Sequence, residues 1–139
     1  IEAHGLNHLP DPGQDLARSI ADFVYDRHIS AGCILTCVGS LTTAVIRYAN
    51  NPGGTQVNGH FEIDSLVGTV GMTGQHLHIS ISDGEGRMLG GHLLEGCLVY
   101  TTAEIVLAAF PELVYRREYD ERSGYDELVV YTVQDLKGE

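Results

Sequence analysis

The sequence predicts an α+β domain, with one long N-terminal helix packed on a largely antiparallel sheet of about seven strands. Three observations carry that expectation. Leu16, Ile20, Phe23 and Val24 recur at i, i+4, i+7 and i+8, the spacing of one apolar helix face. Most of the remaining chain alternates or runs in short apolar stretches rich in β-branched residues, as strands do. The connections are short clusters of Asp, Asn, Gly and Pro. Such hairpin-length links join antiparallel neighbours, whereas parallel ones need a long crossover.

Residues 1–9 have no clear periodicity, and His4 and His8 read as loop histidines. Residues 1–8 are therefore expected to be a disordered or added N-terminus. The domain is expected over 9–133, with 134–139 an acidic, frayed tail. Asp11 reads as a helix N-cap, Pro12 as the first helical residue and Gln14 as the partner in a capping-box variant. The helix would run to about His28, exposing Arg18, Asp22 and Asp26, with Arg27 and His28 suiting its C-terminal dipole.

Residues 31–38, apolar on both faces, read as a buried strand. Gly39-Ser40 would turn the chain into a second strand, residues 41–49. Asn50-Asn51-Pro52-Gly53-Gly54 is the most loop-like segment. Residues 60–64 alternate, with Phe61 and Ile63 on one face and His60, Glu62 and Asp64 on the other. Residues 65–70 continue as a strand in which Gly68 marks a bulge or a close approach. Residues 99–110 fit a strand, a short helix or one after the other, and Pro111 ends them. Glu104 stands out there as a carboxylate among apolar residues. Residues 113–119 and 128–132 flank a Gly- and Asp-containing segment and read as a closing hairpin.

Residues 75–93, QHLHISISDGEGRMLGGHL, read as a central hairpin. Leu77, Ile79 and Ile81 alternate with His76, His78, Ser80 and Ser82, so both histidines share the polar face. Asp83-Gly84-Glu85-Gly86 supplies the turn. A turn centred near Glu85 sets position 78 opposite position 92, where opposed Cβ atoms lie about 5 Å apart. His76, His78 and His92 then converge. A bulge at Gly90-Gly91 would shift the register and turn His92 away. Three neutral imidazoles suit a zinc-type ion with an open fourth position, Fe or Mn being the alternatives. Gly90 and Gly91 would leave space beside it. The competing reading is a solvated strand face with unrelated histidines.

At 139 residues the chain is one domain. Its net charge of −11, with Lys137 the single lysine, argues against a surface built for phosphate backbones. No apolar run has the length of a membrane span. Neither a signal-peptide pattern nor an initiating Met is visible. Cys33, Cys37 and Cys97 are an odd set that suggests reduced thiols and a cytoplasmic home.

Several short motifs fall in a recognisable order: Pro12-Gly13-x-Asp15-Leu16, Gly39-Ser40-Leu41, Ser65-Leu66-x-Gly68, His76-Leu77-His78, Gly90-Gly91-His92-Leu93, Gly96 and Ala103-Glu104. Over residues 9–132 the chain resembles the PPC domain, the plants and prokaryotes conserved domain also called DUF296. The resemblance implies an α/β-plait domain that forms homotrimers. In plants the domain follows AT-hooks in nuclear DNA-associated proteins, and prokaryotic stand-alone members are often labelled DNA-binding by that analogy. This chain has no Arg-Gly-Arg-Pro hook and is acidic, which speaks against direct DNA binding. Its histidine set resembles a metal-capable prokaryotic branch. A more distant likeness, to acetolactate decarboxylase and a zinc-dependent ester hydrolase, lies in fold and His-x-His ligand pattern.

Two functions follow. The first is a homotrimeric binding or regulatory module with a three-histidine metal site, acting on a protein partner or small ligand. The second is a metal-dependent hydrolase or lyase on a small carbonyl or ester substrate. The second needs a carboxylate base and a cation. Glu104 and Arg47 are the leading candidates because apolar neighbours surround both, and they would equally suit a structural ion pair. Glu62 and Arg87 are the exposed alternatives. His60, with Glu62 and Asp64, is a candidate second polar site.

Overall fold

The computed structural model describes residues 1–5 and 10–138. The element order is β1 (Glu2–Gly5), α1 (Leu16–Asp26), β2 (Gly32–Arg47), β3 (Thr55–Gly71), β4 (Gly74–Ser82), β5 (Met88–Leu93), β6 (Leu98–Ala109), β7 (Leu113–Asp120), β8 (Tyr125–Thr132) and α2 (Val133–Leu136). Six strands form one sheet in the order β1-β6-β2-β3-β4-β5, and β7 pairs only with β8. Every pairing is antiparallel. The α+β class and the antiparallel sheet are as the sequence predicts, with eight strands among the described residues where about seven are expected.

Two long strands replace four short ones. Gly39-Ser40 does not turn; β2 runs straight through it. Glycine stands there because a Cβ would strike the Thr102 carbonyl and Ala103 of β6. A packing glycine and a turn glycine look alike in sequence. β3 likewise joins the two expected strands, with a register shift between Ile63 and Ser65. Residues 98–109 are all strand.

The sheet also closes on itself. β2 pairs with β6 as far as Thr43, and beyond that its same edge takes β5, through Ile46 with Leu93 and Arg47 with His92. β2, β3, β4 and β5 thus form a ring. Leu41, Ile46, Ile79, Ile81 and Val99 fill the core with Leu16 and Ile20 from α1.

The helix starts four residues later than expected. Asp15, not Asp11, is the N-cap. Its Oδ1 accepts from the Arg18 amide at 3.1 Å, while Oδ2 accepts from the Gly96 amide. One carboxylate therefore satisfies a helix end and ties it to the start of β6. Gln14 does bond the Asp11 amide, at 2.7 Å, in the turn ahead of the helix. At the other end His28 takes a left-handed φ of 53°, and the Ile29 amide reaches back to the Val24 carbonyl, a Schellman-type stop.

Both ends of the described chain carry secondary structure that the sequence pattern does not announce. Residues 2–5 are a strand on β6, with half-buried His4 opposite Leu107. His8 lies outside the described residues. The C-terminal segment begins with α2, closed by a capping box between Thr132 and Asp135.

Candidate metal centre

The β4–β5 hairpin has the register that the alternation predicts: His78 lies directly opposite His92. Leu77, Ile79 and Ile81 are buried beneath, which fixes the opposite face outward. There the rings of His76, His78 and His92 meet, with centroids 4.9 to 5.6 Å apart. Each ring offers a nitrogen, and the three atoms lie within 4.8 Å of one another. The Nε2 atoms of His76 and His78 are 3.2 Å apart. Two nitrogens sharing a tetrahedral ion at about 2.0–2.1 Å stand about 3.4 Å apart, so small ring rotations suffice.

Two further observations bear on fit. His92 Nδ1 is buried without a hydrogen-bond partner, a deficit that ligation through that nitrogen would remove. His76 and His92 are both held below the ordinary histidine value. Burial is the largest cause for each. His78, Arg117 and Arg47 add repulsion at His76, where Glu127 partly opposes them; at His92 the added repulsion comes from His76, Arg47 and His78. Both rings therefore favour the neutral form that metals require.

Gly90 and Gly91 act differently from expectation. A Cβ on Gly90 would lie 2.5 Å from the Ile79 carbonyl, and one on Gly91 2.6 Å from the Arg47 carbonyl. Their bareness lets β5 pair closely with β4 on one side and β2 on the other.

The structure separates the two catalytic candidates. Arg47 sits opposite His92 and lines a cavity of about 830 Å³ with His76, His92, Gln75, Arg117 and Glu127. Glu104 is exposed and pairs with Val38, nine positions along β2 from Arg47, or about 30 Å of strand. No Arg47–Glu104 ion pair exists. The apolar neighbours of Glu104 belong to the opposite face of its strand. Arg87 is bound into the hairpin turn, 3.1 Å from Asp83 and 3.0 Å from Glu85. Glu62 is exposed and lines a separate cleft with His60, where His60 stacks on Tyr100 at 4.6 Å.

Sequence reasoning missed Arg117 and Glu127. Arg117, on β7, donates from Nη2 to Thr69 Oγ1 at 2.7 Å, and its amide donates to Thr73 Oγ1. Thr69 is opposite His76, so the bond sets Arg117 beside the cluster. The available signal was the Arg116-Arg117 pair in an otherwise acidic segment.

The model of the Plants and Prokaryotes Conserved (PCC) domain matches residues 11–111. The chain belongs to this family. It is the PPC family named from the sequence motifs. The chain is 42% identical over 122 residues to a protein named bifunctional protein GlmU from Synechococcus sp. (strain JA-2-3B'a(2-13)), covering 88% of this chain and 19% of that one. It thus spans about a fifth of the length of the curated relatives it matches first. A hypothetical protein of Salmonella enterica has the same fold, with a TM-score of 0.90, 40% identity and coverage of 95% and 96% of the two chains. A protein of Archaeoglobus fulgidus described as metal-containing superposes with a TM-score of 0.75 at 26% identity, covering 93% and 94%. Among the described residues, no helix of this PPC chain is long and apolar enough to cross a membrane.

Proposed function

We propose that this PPC domain is a binding or regulatory module that holds one zinc-type ion on His76, His78 and His92. The observation that carries the reading is the convergence of three imidazole nitrogens within 4.8 Å of one another, with His76 and His92 lining a cavity. The metal-containing description of the Archaeoglobus relative supports it. All-nitrogen donors favour zinc, with iron or manganese as alternatives. The family resemblance supports a homotrimer as the working unit, and the three free cysteines suit a cytoplasmic setting.

Elemental analysis of protein purified without a metal column tests the site, and light scattering tests the assembly. Near one zinc per chain is expected, and a chain that takes up none ends the proposal. A monomer at micromolar concentration ends the trimer. Direct DNA binding is not expected at a net charge of −11; tight binding of duplex DNA in a low-salt gel shift would reverse that.

The cavity favours a second reading, a metal-dependent hydrolase or lyase on a small carbonyl or ester substrate. A bound metal would supply Lewis-acid polarisation there. Arg47 and Arg117 would orient an anionic substrate, and Glu127, on the cavity wall beside His76, takes the carboxylate role first expected of Glu104. Turnover of esters or 2-keto acids that survives His78→Ala would sink this mechanism.

A further inference from the structure

We infer that the cavity beside the histidine cluster is an anion site, in which Arg47 and Arg117 receive an oxyanion group of a small dianionic acid while its other end reaches the histidines. The inference rests on the metal reading and adds the class of ligand.

Arginine distribution is the first argument. In this acidic chain most arginines are engaged elsewhere. Arg87 pairs with Asp83 and Glu85, and Arg122 with Asp120. Arg27 lies over Phe23 and Arg116 over Tyr131. Arg47 and Arg117 instead line the cavity. The Arg47 guanidinium forms no ion pair or hydrogen bond with a described residue, and the Arg117 guanidinium donates only to Thr69.

Register is the second argument. Arg47 is directly opposite His92 on β2 and β5, and Thr69, the anchor of Arg117, is directly opposite His76 on β3 and β4. Directly opposed residues share a face. The two guanidiniums therefore flank the cluster through two different strand pairs. Planar guanidinium forks match carboxylate and phosphate alike.

Charge and hydrogen bonding define the ligand further. Asp126 and Glu127 also line the cavity and offset the two arginines, so a divalent ion leaves the mouth about two charges positive. A dianion neutralises that excess. Gln75 donates Nε2 to the Ala17 carbonyl, which fixes its side chain in the cavity wall. The class is a small dianion, a dicarboxylate or a phosphate monoester.

Calorimetric titration with malate and with glycerol 3-phosphate tests this, on both zinc-loaded and metal-free protein, with glycerol as the uncharged control. One of the two anions is expected to bind the zinc-loaded protein at millimolar concentration or below, and whichever does so names the oxyanion. Arg47→Gln and Arg117→Gln should each weaken binding about tenfold while zinc stoichiometry stays at wild type; Arg47→Gln should also leave the melting curve unchanged, whereas Arg117→Gln should lower it no further than Thr69→Val, which removes the same bond. Arg47→Lys, which keeps the charge, should recover part of the loss. Zinc uptake without anion binding that depends on these arginines would overturn the inference and leave the metal reading intact. If no zinc binds, the metal reading falls; arginine-dependent binding to the metal-free protein would then keep the anion site, and its absence would remove both.

Discussion

Two hairpins meet at the histidine cluster, and they are built differently. β4 and β5 lie within the main sheet, with Leu77, Ile79, Ile81 and Leu93 buried beneath them. β7 and β8 pair only with each other, and Tyr119, Tyr125 and Val130 are more than half exposed. An isolated two-stranded hairpin is marginal in water, so the second one depends on its docking bonds. The Tyr115 amide donates to the Ser30 carbonyl, Ser30 Oγ donates to the Leu113 carbonyl, and Arg117 holds Thr69 and Thr73. The rigid hairpin carries the candidate metal ligands, while the docked one carries Arg117 and Glu127. The first is suited to fix a geometry and the second to tune what approaches it.

The largest expected effect is on the rigid side. In a His76→Ala/His78→Ala protein, zinc content should fall from near one per chain to near zero, measured by elemental analysis. The two rings project from the outer face of β4, so the melting curve should change little. A variant that keeps its zinc would place the metal elsewhere and dissolve the distinction between the hairpins.

Next is the backbone beneath the ligands. Gly68 on β3 has a φ of 144°, and a Cβ there would collide with the His76 carbonyl. Overpacking against backbone costs about 1–3 kcal/mol, and the strained φ adds about 1–3 more. Gly68→Ala should therefore lower the denaturation midpoint strongly and weaken zinc binding as β4 shifts. A variant that melts like the wild type would mean that the His76 backbone yields easily, which the comparison denies.

The same contrast explains what was legible in the sequence. The β4–β5 hairpin could be read because strict alternation from His76 to Ser82 and the Asp83–Gly86 turn together fix a register, and register alone brings His78 to His92. The β7–β8 hairpin was legible as a hairpin, but its side chains reach the site by docking, which leaves no periodic trace. Arg117 becomes a site residue only because Thr69 and Thr73 accept from it across the fold. Glu104 failed for a related reason. Apolar neighbours in sequence are alternate-face neighbours on a strand, so Ala103 and Ile105 are buried while Glu104 is exposed. The closure of β5 onto β2 was equally invisible, resting on glycines whose missing Cβ atoms permit close approach.

A smaller effect probes the docked hairpin. Thr69→Val removes the acceptor of Arg117 Nη2 at nearly constant side-chain volume, and one such bond contributes about 1 kcal/mol. Amide hydrogen exchange in β7 and β8 should quicken, while β4 and β5 stay as protected as in the wild type. Equal acceleration in both would mean that the hairpins open as one unit.

The smallest effect is electrostatic and separates the hairpins by pH. In the metal-free protein burial, with repulsion from neighbouring cationic groups, holds His76 and His92 below the ordinary histidine value of 6.5. The unfolded chain then binds protons more readily than the fold, so their contribution is fully present above pH 6.5 and is lost as pH falls below it. The β7–β8 turn holds Asp120 below the ordinary aspartate value of 3.8, through hydrogen bonds from the Arg122 side chain and amide, so its contribution is lost only under stronger acid. Denaturant midpoints at pH 7.5 and 5.5 should therefore differ in the wild type and differ less in a His76→Gln/His92→Gln variant. The shift is small because His76 is exposed and solvent screens its neighbours. An equal pH dependence in the variant would assign the acid sensitivity to carboxylates and show that the imidazoles are no less basic in the fold than in the open chain.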